Sequence, residues 1–176
     1  VPVLTSALSL LGITMPSTEE EAIAQFPAEF EATYSLLNTG DRNTLLALPE
    51  ITDELKQLEM KLYDALVATY YLSKRKHSLF INACRSVNCT LTEGICDKSA
   101  LGLTVFCSAM SESGIKLSTC YHIGNIAREL AEDVGSKYAL VSVYLYFSSF
   151  YQHWCEPSKN SLPYLTQCIH WGESGI

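Results

Sequence analysis

A chain of 176 residues with 48% apolar side chains can bury one sizeable core, and none of its apolar runs is long and unbroken enough to read as a membrane span. Its formal net charge of −7 argues against nucleic acid, and against an anionic membrane surface, as partners of the whole molecule. The charge is uneven: residues 1–60 hold ten acids and two bases, residues 61–90 one acid and five bases, and the remainder eight acids and five bases.

The first segment, VPVLTSALSLLGITMP (residues 1–16), is apolar but broken by Gly12 and Pro16, and reads as a short helix or an extended N-terminal arm on the core. The chain opens Val1-Pro2 with no initiator Met and no signal-like run. That reads as a mature form from which a signal peptide has been removed. PSTEEEAIAQF then opens a helix, with Ser17 as cap, Glu20 three residues on and acids filling the first turn. Pro27 interrupts it and suits the first turn of a renewed helix, PAEFEATYSLLN. Ile23, Phe26, Phe30, Tyr34 and Leu37 keep three–four spacing as one buried stripe, and NTGDRN is the stop.

The clearest helix follows. Thr52 or Asp53 caps it, and Leu55, Leu58, Leu62 and Leu66 (or Ala65) mark its buried side. The pattern runs on through Ile81 toward Cys84, about thirty residues that need a partner along their length and so imply a bundle. Lys74, Arg75, Lys76 and His77 are the centre of the basic island. They are either a solvated helical face, a dibasic processing site or the contact site for a protein partner, and the last is the functional expectation.

INACRSVNCTLTEGIC (residues 81–96) packs three of the seven cysteines into one short stretch; the others are Cys107, Cys120, Cys155 and Cys168. No CxxC occurs, so the paired-ligand signature of tetrahedral zinc is absent. Asn88-Cys89-Thr90 matches a glycosylation acceptor. Together these features point to a secreted, disulfide-bonded glycoprotein in which 81–96 is a stapled connection between helices. Six cysteines can pair. The seventh is left as a buried thiol, a nucleophile or a link in a disulfide-bonded dimer, and a non-covalent dimer is equally compatible. Cys155 and Cys168 flank a short Pro-containing turn and can staple the C-terminal segment, 156–176, to the core.

Residues 99–112 read as a shorter helix with Leu103, Phe106, Cys107 and Met110 on one face, weakened by Gly102. After the turn ESGIKLS, Ser118 or Thr119 opens a helix with Cys120, Ile123, Ala127, Leu130 and Val134 on one side. Residues 138–154 are apolar around most of their girth and read as the central helix, surrounded by the others. Tyr144, Phe147, Phe150 and Tyr151 on it are core, the lining of a cavity for a hydrophobic ligand, or a dimer face. EPSKNSLP turns the chain, YLTQCIHW is a last short element, and the tail GESGI frays.

No phosphate loop, dinucleotide fingerprint, H-E-x-x-H or G-x-S-x-G is present, and spacing selects none of His77, His122, His153 and His170 to serve a cysteine nucleophile. Nothing in the sequence calls for an enzyme, a metal or a cofactor. The expectation is an all-α, disulfide-bonded helical bundle of four or five main helices in one domain, 1–176. Functionally it is a secreted, extracellular, non-enzymatic interaction protein: a receptor ligand, toxin subunit or effector with a protein partner such as a cell-surface receptor. The alternative is a carrier of a small hydrophobic ligand in an aromatic-lined cavity.

Overall fold

The computed structural model describes residues 1–38 and 40–173. Among the described residues the chain is all-helical and has no strand; one isolated parallel bridge joins Glu50 to Ile95. In chain order the helices are α1 (Pro2–Leu10), α2 (Glu19–Leu37), α3 (Arg42–Leu46), α4 (Glu54–Leu72), α5 (Lys76–Glu93), α6 (Ser99–Glu112), α7 (Leu117–Val134) and α8 (Lys137–Phe147). A π-helical segment (Ser148–Gln152) and a single α turn (His153–Cys155) continue α8, and α9 (Leu162–Glu173) follows. These are more helices than the four or five expected, because the N-terminal arm and C-terminal segment are themselves helical and one long pattern divides. No described helix is long and apolar enough to cross a membrane.

The start of α2 is set one residue later than the sequence suggests. Thr18 accepts from Glu21 N–H at 3.2 Å, and the Glu21 carboxylate reaches back to Ser17 N–H at 2.8 Å, a reciprocal cap. Pro27 does not divide the helix. It stands exposed on the outer face, where the backbone carbonyl it leaves unpaired is open to water. Ile23, expected in the buried stripe, lies on that outer side; Phe26, Phe30 and Leu37 are buried as expected. Thr39, in the expected stop, lies outside the described residues.

Asp53 caps α4, accepting from Leu55 and Lys56 N–H. The buried side differs from the leucine stripe: Leu55 and Leu58 are 63% and 45% exposed, while Met60, Tyr63, Leu66, Val67 and Tyr70 face inward. Two apolar stripes share this helix, and the one with the larger side chains meets α5. The expected thirty-residue helix ends at Leu72. Ser73 bonds back to the Thr69 carbonyl at 2.7 Å, and Lys74 takes φ +58°, so the chain reverses. α5 then runs antiparallel to α4: Asn82 Nδ2 donates to the Tyr63 carbonyl at 2.9 Å, and Ser86 meets Met60 one turn further along each helix.

Residues 81–96 are therefore not a stapled connection. Most of them form the second half of α5, with Ile81, Cys84, Val87 and Cys89 buried. The connection proper is Gly94–Lys98. Gly94 sits at φ +120° where a Cβ would stand 2.2 Å from the Pro49 carbonyl, so only glycine lets Ile95 pair with the 49–51 strip.

The central element is α6, not 138–154. Every residue from Ser99 to Cys107 is buried. Gly102 makes this possible, because a Cβ there would meet Ser86 Oγ at 2.3 Å; its absence lets α6 lie close on α5. α8 packs on α7 and α6 through Val143 and Phe147 and leaves Tyr138 and Leu145 partly in solvent.

All seven cysteines stand as free thiols here, so the expected disulfide bonding is not seen. Cys84, Cys89, Cys107 and Cys120 point into packed helix interfaces and behave as small apolar groups. The expected Cys155–Cys168 staple is not formed: Cys155 is exposed, and Cys168 Sγ rests 3.6 Å from the Val141 carbonyl on α8. What holds α9 is aromatic packing, Tyr144 against Tyr164 (4.8 Å between ring centres) and against Trp171 (6.1 Å). Of the tail expected to fray, Gly172 and Glu173 belong to α9 and residues 174–176 lie outside the described residues.

Candidate functional site: the cleft at the α4–α5 corner

The reversal between α4 and α5 splits the basic island in two. Arg75 and His77 turn inward. Arg75 donates to the Pro16 carbonyl at 3.2 Å and lays its guanidinium over the Tyr70 ring, 5.3 Å from its centre. Glu19 acts as the missing cap of α5: one carboxylate oxygen accepts from His77 N–H and lies 3.0 Å from His77 Nδ1, the other accepts from Ser78 N–H and hydroxyl. Burial alone would push the Glu19 carboxyl up, but these bonds outweigh it and hold the group below its ordinary value. These two members of the expected contact site therefore tie the corner to the start of α2.

Lys74 and Lys76 turn outward. Lys76 pairs with Glu112 at 2.6 Å. Lys74 is exposed and has no ion pair among the described residues. Both stand at the mouth of a cleft of about 310 Å³. Its walls come from the end of α4 (Tyr70, Tyr71), the start of α5 (Leu79, Phe80), α6 (Val105, Ser108), α8 (Tyr146) and the π-helical segment (Phe150). The lining is mostly apolar, and its rim is open: Tyr71 is 56% and Phe150 46% exposed. Ser108 is engaged with the Tyr151 hydroxyl at 2.5 Å, and burial, with Tyr71 nearby, pushes the Tyr146 phenol up. The deep wall is thus uncharged, and among the described residues the two lysines at the mouth are the only cations that line the cleft.

Two backbone irregularities border this cleft. One is Lys74, the one non-glycine residue at positive φ among the described residues. A side chain there costs about 1 kcal/mol or more over glycine. The other is the π-helical segment, whose wider turn lets Phe147 and Tyr151 face the core while Phe150 swings to the cleft.

Of the four aromatic residues expected to line a cavity, only Phe150 does so. Phe147 is core, stacked on Tyr121 at 5.6 Å; Tyr151 is buried against Thr104 and Ser108; Tyr144 donates to Glu132 on the α7 side. The sequence offered no periodic signal for Tyr71, Leu79, Val105 or Tyr146, because they arrive from four elements.

Asn88 lies in mid-helix on α5, partly buried, with Oδ1 unbonded among the described residues. Thr90 of the same acceptor motif is turned inward, its hydroxyl bonded to the Ser86 carbonyl at 3.0 Å. Asn88 borders a second, polar cleft of about 540 Å³ at the opposite end of the α4–α5 hairpin, with Lys56, Glu59, Tyr63, Arg85 and Cys89. Every charge there is paired. Glu59, only 7% exposed, accepts from the Tyr63 hydroxyl at 2.9 Å and from Lys56 at 3.0 Å, and Arg85 grips Glu29 at 2.7 Å. Burial pushes the Cys84 and Cys89 thiols up to about 12 and raises Cys107 well above its ordinary value, so these thiols keep their protons at neutral pH. Among the described residues no group of three His, Cys, Asp or Glu side chains is placed to hold a metal ion. Set against known proteins, the chain matches no family model, no curated protein and no solved structure.

Proposed function

We propose that this is a secreted, non-enzymatic interaction protein that docks a protein partner on the α4–α5 corner. The observation that supports this most is Lys74: an unpaired cation, held in a strained backbone conformation, at the mouth of an apolar cleft with an exposed aromatic rim. Docking sites concentrate their affinity in such places, where tyrosine and other aromatic side chains surround a pocket and nearby charge sets association rate and specificity.

A photo-crosslinking amino acid at Tyr71 tests the site, with the same group at exposed Leu55 on the outer face of α4 as the control. Docking at the corner gives a crosslinked partner from position 71 and not from 55, and Lys74→Glu with Lys76→Glu removes it while the far-ultraviolet circular dichroism is unchanged. Equal crosslinking from both positions rejects the corner. Secretion, sugar on Asn88 and oxidation of the cysteines belong to the same proposal. Intact mass of the exported protein, before and after reduction and deglycosylation, reads all three.

A second reading, a carrier of a small apolar ligand, is supported by the size of the cleft: about 310 Å³ lies at the lower edge of the range of small-molecule sites.

A further inference from the structure

We infer that the small molecule suited to this cleft is a medium-chain monocarboxylate, with its chain between Leu79, Val105 and Phe150 and its carboxylate on the Lys74 ammonium. This rests on the carrier reading and names its ligand. Three features of the cleft lead to it. Among the described residues no acidic side chain lines the cleft, and of its two cations Lys76 is already neutralised by Glu112. One cation without a counter-ion at the mouth matches one negative charge; a cationic head group would meet two ammonium groups instead. Of the inner-wall hydroxyls, that of Ser108 is engaged with Tyr151 and that of Tyr70 is buried with no hydrogen-bond partner among the described residues, so a buried chain meets a wall that is mostly apolar. The small volume favours a short chain over a long-chain lipid.

Amide NMR titrations of the full chain with octanoate, 1-octanol and octylammonium, at low ionic strength and below micelle formation, test this. Saturable shifts are expected at Leu79, Val105 and Phe150, with octanoate binding about fivefold more tightly than octanol and octylammonium weakest. Shortening the acid by one buried methylene costs about fourfold in affinity. Lys74→Met keeps the apolar stem and removes the charge, so octanoate falls to the level of octanol; Lys76→Gln leaves the preference in place. Added salt narrows the gap between acid and alcohol. If octanol and octanoate bind the wild type equally, the carboxylate assignment is overturned while the carrier reading stands. A preference lost only in Lys76→Gln overturns the placement on Lys74. If neither ligand gives saturable shifts at the cleft, both the inference and the carrier reading fall.

Discussion

The two ends of the α4–α5 hairpin are built from similar residue types and differ in what is left over. At the open end each charge has a partner: Glu59, sunk in the core, holds Lys56 and the Tyr63 hydroxyl, and Arg85 holds Glu29 of α2. At the corner, Arg75 and His77 are likewise tied in, but Lys74 is unpaired, strained and set beside an open apolar cleft. Buried charge is tolerable only when it is paired, so a closed set reads as structure. A charge left unpaired at the mouth of an open apolar cleft is the better pointer to binding.

The sharpest way to break this contrast is Glu59→Ala. Removing the carboxylate strands the buried Tyr63 hydroxyl and leaves Lys56 with Glu93 alone, and we expect a loss of about 2 kcal/mol in urea unfolding. A loss under 0.5 kcal/mol would mean that the open end is not the structural one. Next comes Glu19→Gln, which weakens the cap of α5 and should cost about 1 kcal/mol. It also has a pH signature. Because the folded carboxyl titrates below its ordinary value of 4.5, its contribution is complete above that value and is lost as the pH falls through the lower folded one. The wild type should therefore lose stability on acidification more steeply than Glu19→Gln; parallel pH profiles would show that Glu19 does not cap α5. The smallest effect, and the one of opposite sign, is Lys74→Gly. Relief of the positive φ should stabilise the fold by about 0.5 kcal/mol, while octanoate loses its preference over octanol. A destabilised Lys74→Gly would mean that the lysine is kept for the fold and not for a ligand.

Much of the helical pattern was readable in advance. α6 is announced by a run from Ser99 to Ser111 with no charged residue, and α7 by its stripe of Cys120, Ile123, Ala127, Leu130 and Val134, of which Cys120, Ala127 and Leu130 are buried, Ile123 is half-buried and Val134 is exposed just before Gly135 closes the helix at φ +70°. The basic island was visible as a local charge excess. Its division was not, because the turn at Ser73–Arg75 carries neither glycine nor proline and the helical periodicity passes straight through it. The aromatic run at 138–154 was visible too, but its weight misled. One π-helical segment, invisible to a 3.6-residue period, turns Phe150 away from Phe147 and Tyr151 and gives it to a cleft whose other walls lie far off in the chain.

By itself the sequence determined the helical class, the cap of α4 to within Thr52 or Asp53, the apolar content of the core and the place where positive charge gathers, since each follows from local spacing and local chemistry. Only the tertiary structure decided which of two apolar stripes on α4 faces inward, that α6 rather than α8 lies at the centre, that the cysteines pack as thiols, and that Lys74 alone stays unpaired at an apolar mouth. Those outcomes depend on which surfaces meet. A stripe is buried, a glycine is needed or a lysine is satisfied only in relation to the neighbour that the rest of the chain brings to it.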